Sequence, residues 1–390
     1  MEKPTSGRPP GRGGGLLVSL AAVLVGGVGA ALYAGCRLAG LQAGYGLGVA
    51  SLGLAAAVIY RAQARPVSGL SVAALLLTGL SAAFANVVGF LHLAELAGIT
   101  AARPALEALW AQVPIIRWAG AGTFGGLALL GAAVVRAAVL PRWGGWLVLA
   151  GALLHLPAQA LSGRAELAAN GLAVAGALGV GGGLLWIGRA LWRGQRPAAE
   201  DAPPAALHRW WAGPAVMVTG LLLGLDAAVN MLGGLSLTSA VIHLLYYAGL
   251  AVASLGLLAV SAGPLGRAGG VLLQCGASLA VIPAAFIAAQ LAGVLVDNRL
   301  LMAAWVDIPV GRAGVYLVIL GWLLFGAGMV RAGAGPRWSG WLIVGGVALA
   351  LPIEFGVQAY AFGVFWVVGA ALAGAGVLRL GWSIFSRPRA

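Results

Sequence analysis

Apolar positions in this chain are grouped into long runs that short polar breaks separate. A run of about 20 apolar residues is the length that crosses ~30 Å of hydrocarbon as an α-helix. Twelve such runs span residues 15–35, 40–60, 68–92, 114–135, 143–162, 167–188, 211–233, 238–261, 268–293, 310–330, 338–357 and 361–383. Because a backbone in lipid must satisfy its own hydrogen bonds, these runs predict an all-α, polytopic transmembrane bundle of about 12 helices.

Composition points to the same environment. Of 390 residues, 61% are hydrophobic and only 8% are charged, and the mean hydropathy is +0.98. A soluble domain carries about 25% charged residues, so most of this chain's surface must face the lipid bilayer. The formal net charge of +13 is not gathered into a basic patch with interleaved aromatic residues. Nucleic acid is therefore not a predicted partner, and no soluble partner can be named from the sequence.

The basic residues predict the orientation. If the N-terminus is cytoplasmic, 17 of the 23 lysines and arginines fall in inner segments and 6 fall in outer ones. An excess of positive charge on the cytoplasmic side is the general rule for multi-pass proteins. We therefore expect both the N-terminus and the C-terminus to be cytoplasmic.

An internal repeat organises the twelve runs. The segment Gly46–Leu54 recurs as Gly249–Leu257, 203 positions later. At 195 positions, Trp110, Pro114, Arg117, Arg136, Arg142, Trp143 and Pro157 recur as Trp305, Pro309, Arg312, Arg331, Arg337, Trp338 and Pro352. Each half holds an even number of helices and enters from the same side, which predicts two parallel six-helix repeats.

The predicted segments follow from this arrangement. Residues 1–14 form a basic cytoplasmic N-terminus, 15–192 the first repeat, 193–209 a cytoplasmic linker, 210–385 the second repeat and 386–390 a cytoplasmic tail. The stretch Leu32–Cys36 resembles a lipoprotein cleavage box, although an uncleaved first helix is favoured. Two longer outer segments, Gly98–Ile116 and Val294–Val310, are expected to form short interfacial helices.

One short segment carries a family resemblance. Val139–Trp146 reads VLPRWGGW, and Pro336–Trp341 repeats it as PRWSGW. The pattern resembles one in uncharacterised six-helix membrane proteins of GC-rich bacteria, which implies a bacterial cytoplasmic membrane and no activity. Arg142, Trp143, Arg337 and Trp338 are then predicted interface anchors, with arginine in the cytoplasm and tryptophan at headgroup level.

The overall layout is also similar to that of the major facilitator superfamily. Both have six plus six helices, a central cytoplasmic linker and both ends inside. Gly263–Gly269 is faintly similar to that family's cytoplasmic loop, but its acidic residue is missing. This is an analogy of layout and does not by itself assign a function.

Polar residues inside the predicted spans are the candidate functional groups, because such groups are costly in hydrocarbon. Asp226 is the sharpest candidate, with Asn230 four positions later on the same helix face. His243 lies one turn into the eighth span, and Glu354 is the second embedded carboxylate. Their functional interpretation is a proton- or cation-linked site, and the alternative is that they only fix helix packing.

Lower-ranked candidates are His155, His92, Asn86 and Gln159. Three histidines on different helices at similar depth would suit a b-type haem, which needs two facing imidazoles. Because Ile287 and Ala350 stand at the second-half positions of His92 and His155, no cofactor is predicted, and haem is kept as a less favoured alternative. No metal site is indicated.

The two halves of the repeat differ at the positions of the main candidate residues. At an offset of 203, Asp226, Asn230 and His243 correspond to Val23, Gly27 and Gly40. Most embedded polar residues also map to the outward half of the spans, which favours an outward-open polar cavity or a simple collection of polar groups near an interface.

Three functions from different classes fit these features. The first is a secondary transporter or permease-like protein for a small solute or proton. The second is a non-transporting scaffold or accessory subunit, and the third is a haem protein. Motifs of ATP hydrolysis and of the common hydrolases are missing from the sequence, so the chain is not expected to be an enzyme.

Overall fold

The structure is a computed structural model. It describes residues 26–32, 34, 51–53, 55–60, 63, 69–96, 98, 100, 102–112, 114–138, 140–161, 165–192, 206–233, 236–261, 263–293, 310–333, 336–354 and 360–386. The N-terminal segment, most of the first two predicted spans and residues 193–205 of the linker lie outside these ranges.

The described residues are helical, with short connections. We number the helices α1 (Gly69–Leu96), α2 (Ala102–Gln112), α3 (Pro114–Ala137), α4 (Arg142–Leu161), α5 (Glu166–Trp192), α6 (Ala206–Gly233), α7 (Leu237–Val260), α8 (Gly263–Leu291), α9 (Val310–Ala332), α10 (Arg337–Glu354) and α11 (Tyr360–Phe385). Two shorter helical pieces cover residues 26–32 and 51–60. The last four residues of the predicted linker 193–209 belong to α6, which begins at Ala206.

Seven of the described helices are long and apolar enough to cross a membrane. Their outer faces carry large apolar side chains in the open, such as Leu167 at 92%, Leu221 at 60% and Leu178 at 54% exposure. Water would penalise this arrangement over so many helices, whereas lipid would not. The chain therefore has the multi-pass helical character of an integral membrane protein.

The C-terminal helices close into a ring. Each of α6 to α11 packs against the next one, and α11 packs back against α6. Neighbouring helices run antiparallel. The α6–α7, α7–α8, α9–α10 and α10–α11 connections are short. Between α8 and α9, a side chain on Gly328 would meet Gly266 and one on Gly276 would meet Gly314. We call this group the C-terminal ring. Its buried core includes Val216, Leu250, Leu273, Phe325 and Val377.

The N-terminal ring consists of the pieces 26–32 and 51–60 together with α1, α3, α4 and α5. Contacts along the chain join α1 to α3, α3 to α4 and α4 to α5. Gly26 lies against Ala55, Gly27 against Leu185, and Gly53 against Ala82, so the two pieces complete the circle. The two rings meet where α1 packs against α7 and α8, with Leu255 covering Gly79.

Glycines set the spacing between helices in both rings. A side chain on Gly126 would collide with the backbone of Thr78, and one on Gly321 would collide with that of Leu273. In lipid, close backbone approach of this kind replaces the hydrophobic effect as the main source of helix association.

Helix ends are built alike in the two rings. Gly98 and Gly293 follow α1 and α8 with φ of 82° and 72°, and each amide donates to the carbonyl three residues before it. Ala138 and Gly333 follow α3 and α9 with φ of 52° and 60°. A residue in this left-handed conformation is a common way to end a helix, and glycine adopts it without strain.

Candidate functional site

Asp226 and His243 form an ion pair between α6 and α7. The Nδ1 of His243 lies 3.1 Å from Oδ1 and 3.0 Å from Oδ2 of Asp226. Because both carboxylate oxygens are acceptors, Nδ1 carries the proton and donates it. The sequence placed both residues in one candidate polar site, and in the structure their side chains are in direct contact.

The α6–α7 hairpin explains why these two side chains meet. Asp226 lies seven positions before the end of α6, and His243 is the seventh residue of α7, so both sit about two turns from the connecting loop. Ser236 and Ser239 form a capping box at the start of α7: Ser236 Oγ accepts the Ser239 amide and Ser239 Oγ accepts the Ser236 amide. This cap fixes where α7 begins and hence the height of His243.

The pair lies in the wall of a cavity inside the C-terminal ring. The cavity has a volume of about 420 Å³, and each of α6 to α11 contributes to its lining. A cavity of this size is within the usual range for small-molecule sites. Asp226 has only 8% of its side chain exposed, while His243 has 24%. The carboxylate is therefore buried, and the imidazole is partly exposed.

Aromatic rings make up much of the rest of the lining. Tyr246 and Tyr247 come from α7, Trp322 from α9 and Trp366 from α11. His243 and Tyr247 meet edge to face, with ring centroids 4.8 Å apart. The remaining lining residues are aliphatic or glycine, so the cavity combines an ion pair with a mostly apolar wall.

Trp322 brings a further polar group to this wall. The residue is 2% exposed, and its indole N–H has no hydrogen-bond acceptor within the part of the chain that the structure describes. A buried indole N–H usually finds a partner, and an unsatisfied buried donor costs about 1–3 kcal/mol. The indole nitrogen itself is buried, so Trp322 lines the cavity with other atoms of its side chain.

Two further predicted residues lie about one helical turn in sequence from residues that line the cavity. Asn230 belongs to α6 one turn after Asp226, and Glu354 ends α10 four positions after the cavity-lining Ala350. Their side chains lie outside the described residues, as do those of Asn86 in α1 and Gln159 in α4.

The other two predicted histidines belong to the N-terminal ring. His155 is fully buried, stacks on Phe124 with ring centroids 3.5 Å apart, and has Nδ1 3.4 Å from the carbonyl oxygen of Ala173. His92 is buried near the end of α1, with its Nδ1 3.6 Å from a carboxylate oxygen of Glu95. Each of these histidines has a partner of its own, and neither joins the Asp226–His243 pair.

Glycine contacts in the two rings suggest a different spacing from the 203 positions that paired Asp226 with Val23 in the sequence. A side chain on Gly27 would meet Leu185 and the carbonyl of Gly181, and one on Gly220 would meet Leu378 and the carbonyl of Gly374. Gly220, Leu378 and Gly374 lie 193 positions after Gly27, Leu185 and Gly181, respectively. On the duplication proposed below, these contacts would pair Asp226 with Tyr33 and Asn230 with Arg37, which are outside the described residues, instead of with Val23 and Gly27. The sequence in this helix is too divergent for similarity alone to fix its register.

The sequence prediction missed Trp322 and Trp366 as parts of the site. Their signal was present, because tryptophan in membrane proteins concentrates at the interfaces, whereas Trp322 lies in the middle of an apolar run. Of the predicted anchors, Arg142 and Arg337 are exposed at the first turns of α4 and α10, and Trp143 and Trp338 are 74% and 68% exposed. Their role at a membrane interface stays a prediction.

Comparisons with known proteins found no match. No protein-family model fits the chain, no curated protein is similar to it, and no solved structure resembles it at a significant level. The functional argument therefore rests on the geometry of the site.

Proposed function

We propose that the chain is a permease-like secondary transporter for a small solute, and that the Asp226–His243 pair couples transport to a proton. The observation that carries this proposal is the buried ion pair in the wall of a cavity enclosed by six helices. A charged pair inside a membrane-spanning bundle is costly, and such pairs are typical of solute and proton pathways. Histidine is the side chain that changes charge near neutral pH, which suits it to proton coupling.

The architecture proposed with this function is a tandem duplication of one six-helix unit, of which the two rings are the copies. Equivalent glycine contacts, equivalent left-handed residues after α1 and α8, and equivalent turns after α3 and α9 support it. In a parallel duplication the copies are related by an axis along the membrane normal, as in several transporter families.

The proposed location is a bacterial cytoplasmic membrane with both ends of the chain in the cytoplasm. The arginine-tryptophan starts of α4 and α10 lie at one end of the bundle, and exposed Trp186 and Trp382 lie near the ends of α5 and α11, at that same end. Arginine with tryptophan at one end matches a cytoplasmic interface. Asp226 and His243 then lie in the outward half, near the α6–α7 connection.

The test is transport by purified protein in proteoliposomes. We expect at least one member of a panel of small organic cations, anions and neutral solutes to drive a pH change in the lumen, reported by an enclosed pH-sensitive dye. Asp226→Asn should abolish that coupled flux at equal reconstitution, since it removes the charge but keeps the shape of the side chain.

A matched control uses the other histidine–carboxylate pair. Glu95→Gln, which changes the partner of His92 in the N-terminal ring, should leave the flux unchanged. Equal flux in wild type and Asp226→Asn, or no flux of any solute, would refute the transport proposal and favour a scaffold.

A further inference from the structure

The cavity of the C-terminal ring indicates a chemical class for its ligand, an inference that rests on the function proposed above. The cavity joins a buried carboxylate, Asp226, to four aromatic residues, which are Tyr246, Tyr247, Trp322 and Trp366. The other lining residues on α8 to α11 are uncharged and mostly aliphatic. We propose that the site binds a small organic cation with an apolar body, and that it releases one proton from His243 for each cation bound.

The aromatic lining supports a cationic ligand. The faces of tyrosine and tryptophan rings carry negative charge density and attract ammonium groups within about 6 Å of the ring centroid. Such attraction strengthens where water is excluded, and Tyr246, Tyr247 and Trp322 are each at most 5% exposed. Since a 420 Å³ cavity exceeds the size of an inorganic ion, the ligand has room for a hydrocarbon part that contacts the aliphatic wall.

The Asp226–His243 pair provides the proton that is exchanged for the organic cation. The titratable residues of the lining are Asp226 on α6 and His243, Tyr246 and Tyr247 on α7; Glu354 ends α10 with its side chain outside the described residues. With His243 doubly protonated, the pair is neutral and a second cation is disfavoured. When Nε2 loses its proton to the solvent, the pair carries one negative charge, which the organic cation then neutralises.

Because cation binding and proton release are linked, the affinity for the cation depends on pH in a defined direction. A ligand whose binding releases one proton gains affinity by about tenfold per pH unit on the acidic side of the histidine transition. Where His243 has no second proton to release, the affinity is independent of pH. A ligand that interacts only with the aromatic rings would show neither behaviour.

The test is calorimetric titration of the full chain in detergent with benzyltrimethylammonium. Matched ligands are its uncharged carbon isostere, neopentylbenzene, and the anion phenylacetate. Repeating the titration in two buffers with different heats of ionisation counts the protons released. We expect binding of the cation only, with one proton released in wild type at acidic pH and none in His243→Gln.

Substitutions distinguish the contribution of the Asp226 charge to binding from that of the aromatic rings. Asp226→Asn should weaken binding of the cation by about tenfold or more, because it removes the opposing charge. Trp366→Leu should weaken binding by roughly two- to thirtyfold, while Trp366→Phe should keep most of it, because phenylalanine retains a π face. Size-exclusion profiles and thermal unfolding of each variant establish that it is folded.

Several results would overturn the cation assignment. These are tighter or equal binding of neopentylbenzene or phenylacetate, no binding of benzyltrimethylammonium, and unchanged affinity in both Asp226→Asn and Trp366→Leu. Asp226-dependent flux of an anion or a neutral solute would overturn the cation assignment but leave the transport function standing. Loss of any role for Asp226 in flux would overturn the function itself.

Discussion

The interiors of the two rings differ at positions that the proposed duplication makes equivalent. In the C-terminal ring, Ile287, Ile319 and Ala350 line the cavity. The residues 195 positions earlier in the N-terminal ring are His92, Phe124 and His155, and the last two stack on each other in full burial. A phenylalanine–histidine stack thus occupies the position at which the other ring has isoleucine and alanine. Among the described residues, the buried Phe124–His155 stack takes up space at a position where the smaller Ile319 and Ala350 line a cavity.

Two helix bundles with similar backbone packing can therefore differ in whether their interior forms a cavity. The glycine contacts and helix ends are alike in the two rings, and they determine how the helices pack. The site depends instead on a few interior side chains, which can change without disturbing that packing. On the proposed duplication, the N-terminal ring is the supporting copy and the C-terminal ring is the working copy.

The largest expected effect comes from transferring the filled interior into the C-terminal ring. The double variant Ile319→Phe/Ala350→His should reduce coupled flux to background in proteoliposomes, because the new side chains occupy the cavity. Its thermal stability should be maintained, since filling a cavity rarely destabilises a fold that tolerates the new shape. Unchanged flux in a folded variant would refute the assignment of the cavity as the solute site.

The reverse change is the matched control. Phe124→Ile/His155→Ala empties the N-terminal ring and should leave coupled flux unchanged. It should cost roughly 2–5 kcal/mol in the free energy of unfolding, because buried contacts are lost and a cavity remains. A lower midpoint of thermal unfolding with normal flux is the expected result. A loss of flux in a folded protein would show that the supporting role is wrong.

The smallest effect concerns the equivalent turns after α3 and α9. Ala138 adopts a φ of 52°, whereas Gly333 adopts 60° at the equivalent place. Ala138→Gly should stabilise the chain and Gly333→Ala should destabilise it, each by about 1 kcal/mol, because a side chain is strained in this conformation. Shifts of opposite sign in the thermal unfolding midpoint would agree with this expectation. Two shifts of the same sign would contradict it.

Much of the fold could be predicted because helix length and polarity are local properties. The run predicted at 211–233 is α6 (Ala206–Gly233), and the run at 268–293 is α8 (Gly263–Leu291). Asp226 and His243 were recognised individually because charged and polar groups are rare in such runs. The interfacial segment 98–116 does contain a helix, α2, followed at Pro114 by the start of α3.

The rest depends on how helices rotate and pack, which a single sequence does not encode locally. The meeting of Asp226 with His243 requires two helix faces to turn towards each other. The cavity requires Ile319 and Ala350, on separate helices, to lie together where larger side chains would fill the space. The alignment of Asp226 with Tyr33 required the contacts of Gly27 and Gly220, because few residues are shared in that helix.

The C-terminal ring holds an accessible cavity lined by Ala350, whereas the N-terminal ring has the buried Phe124–His155 stack 195 positions earlier in the chain. Ala350→Cys and His155→Cys, each made with Cys36 and Cys275 changed to serine, test it by reaction with a small water-soluble methanethiosulfonate. Our account predicts labelling at position 350 at least about tenfold faster than at 155, because the rate follows exposure of the thiol. Equal rates at the two positions, or faster labelling at 155, would contradict it.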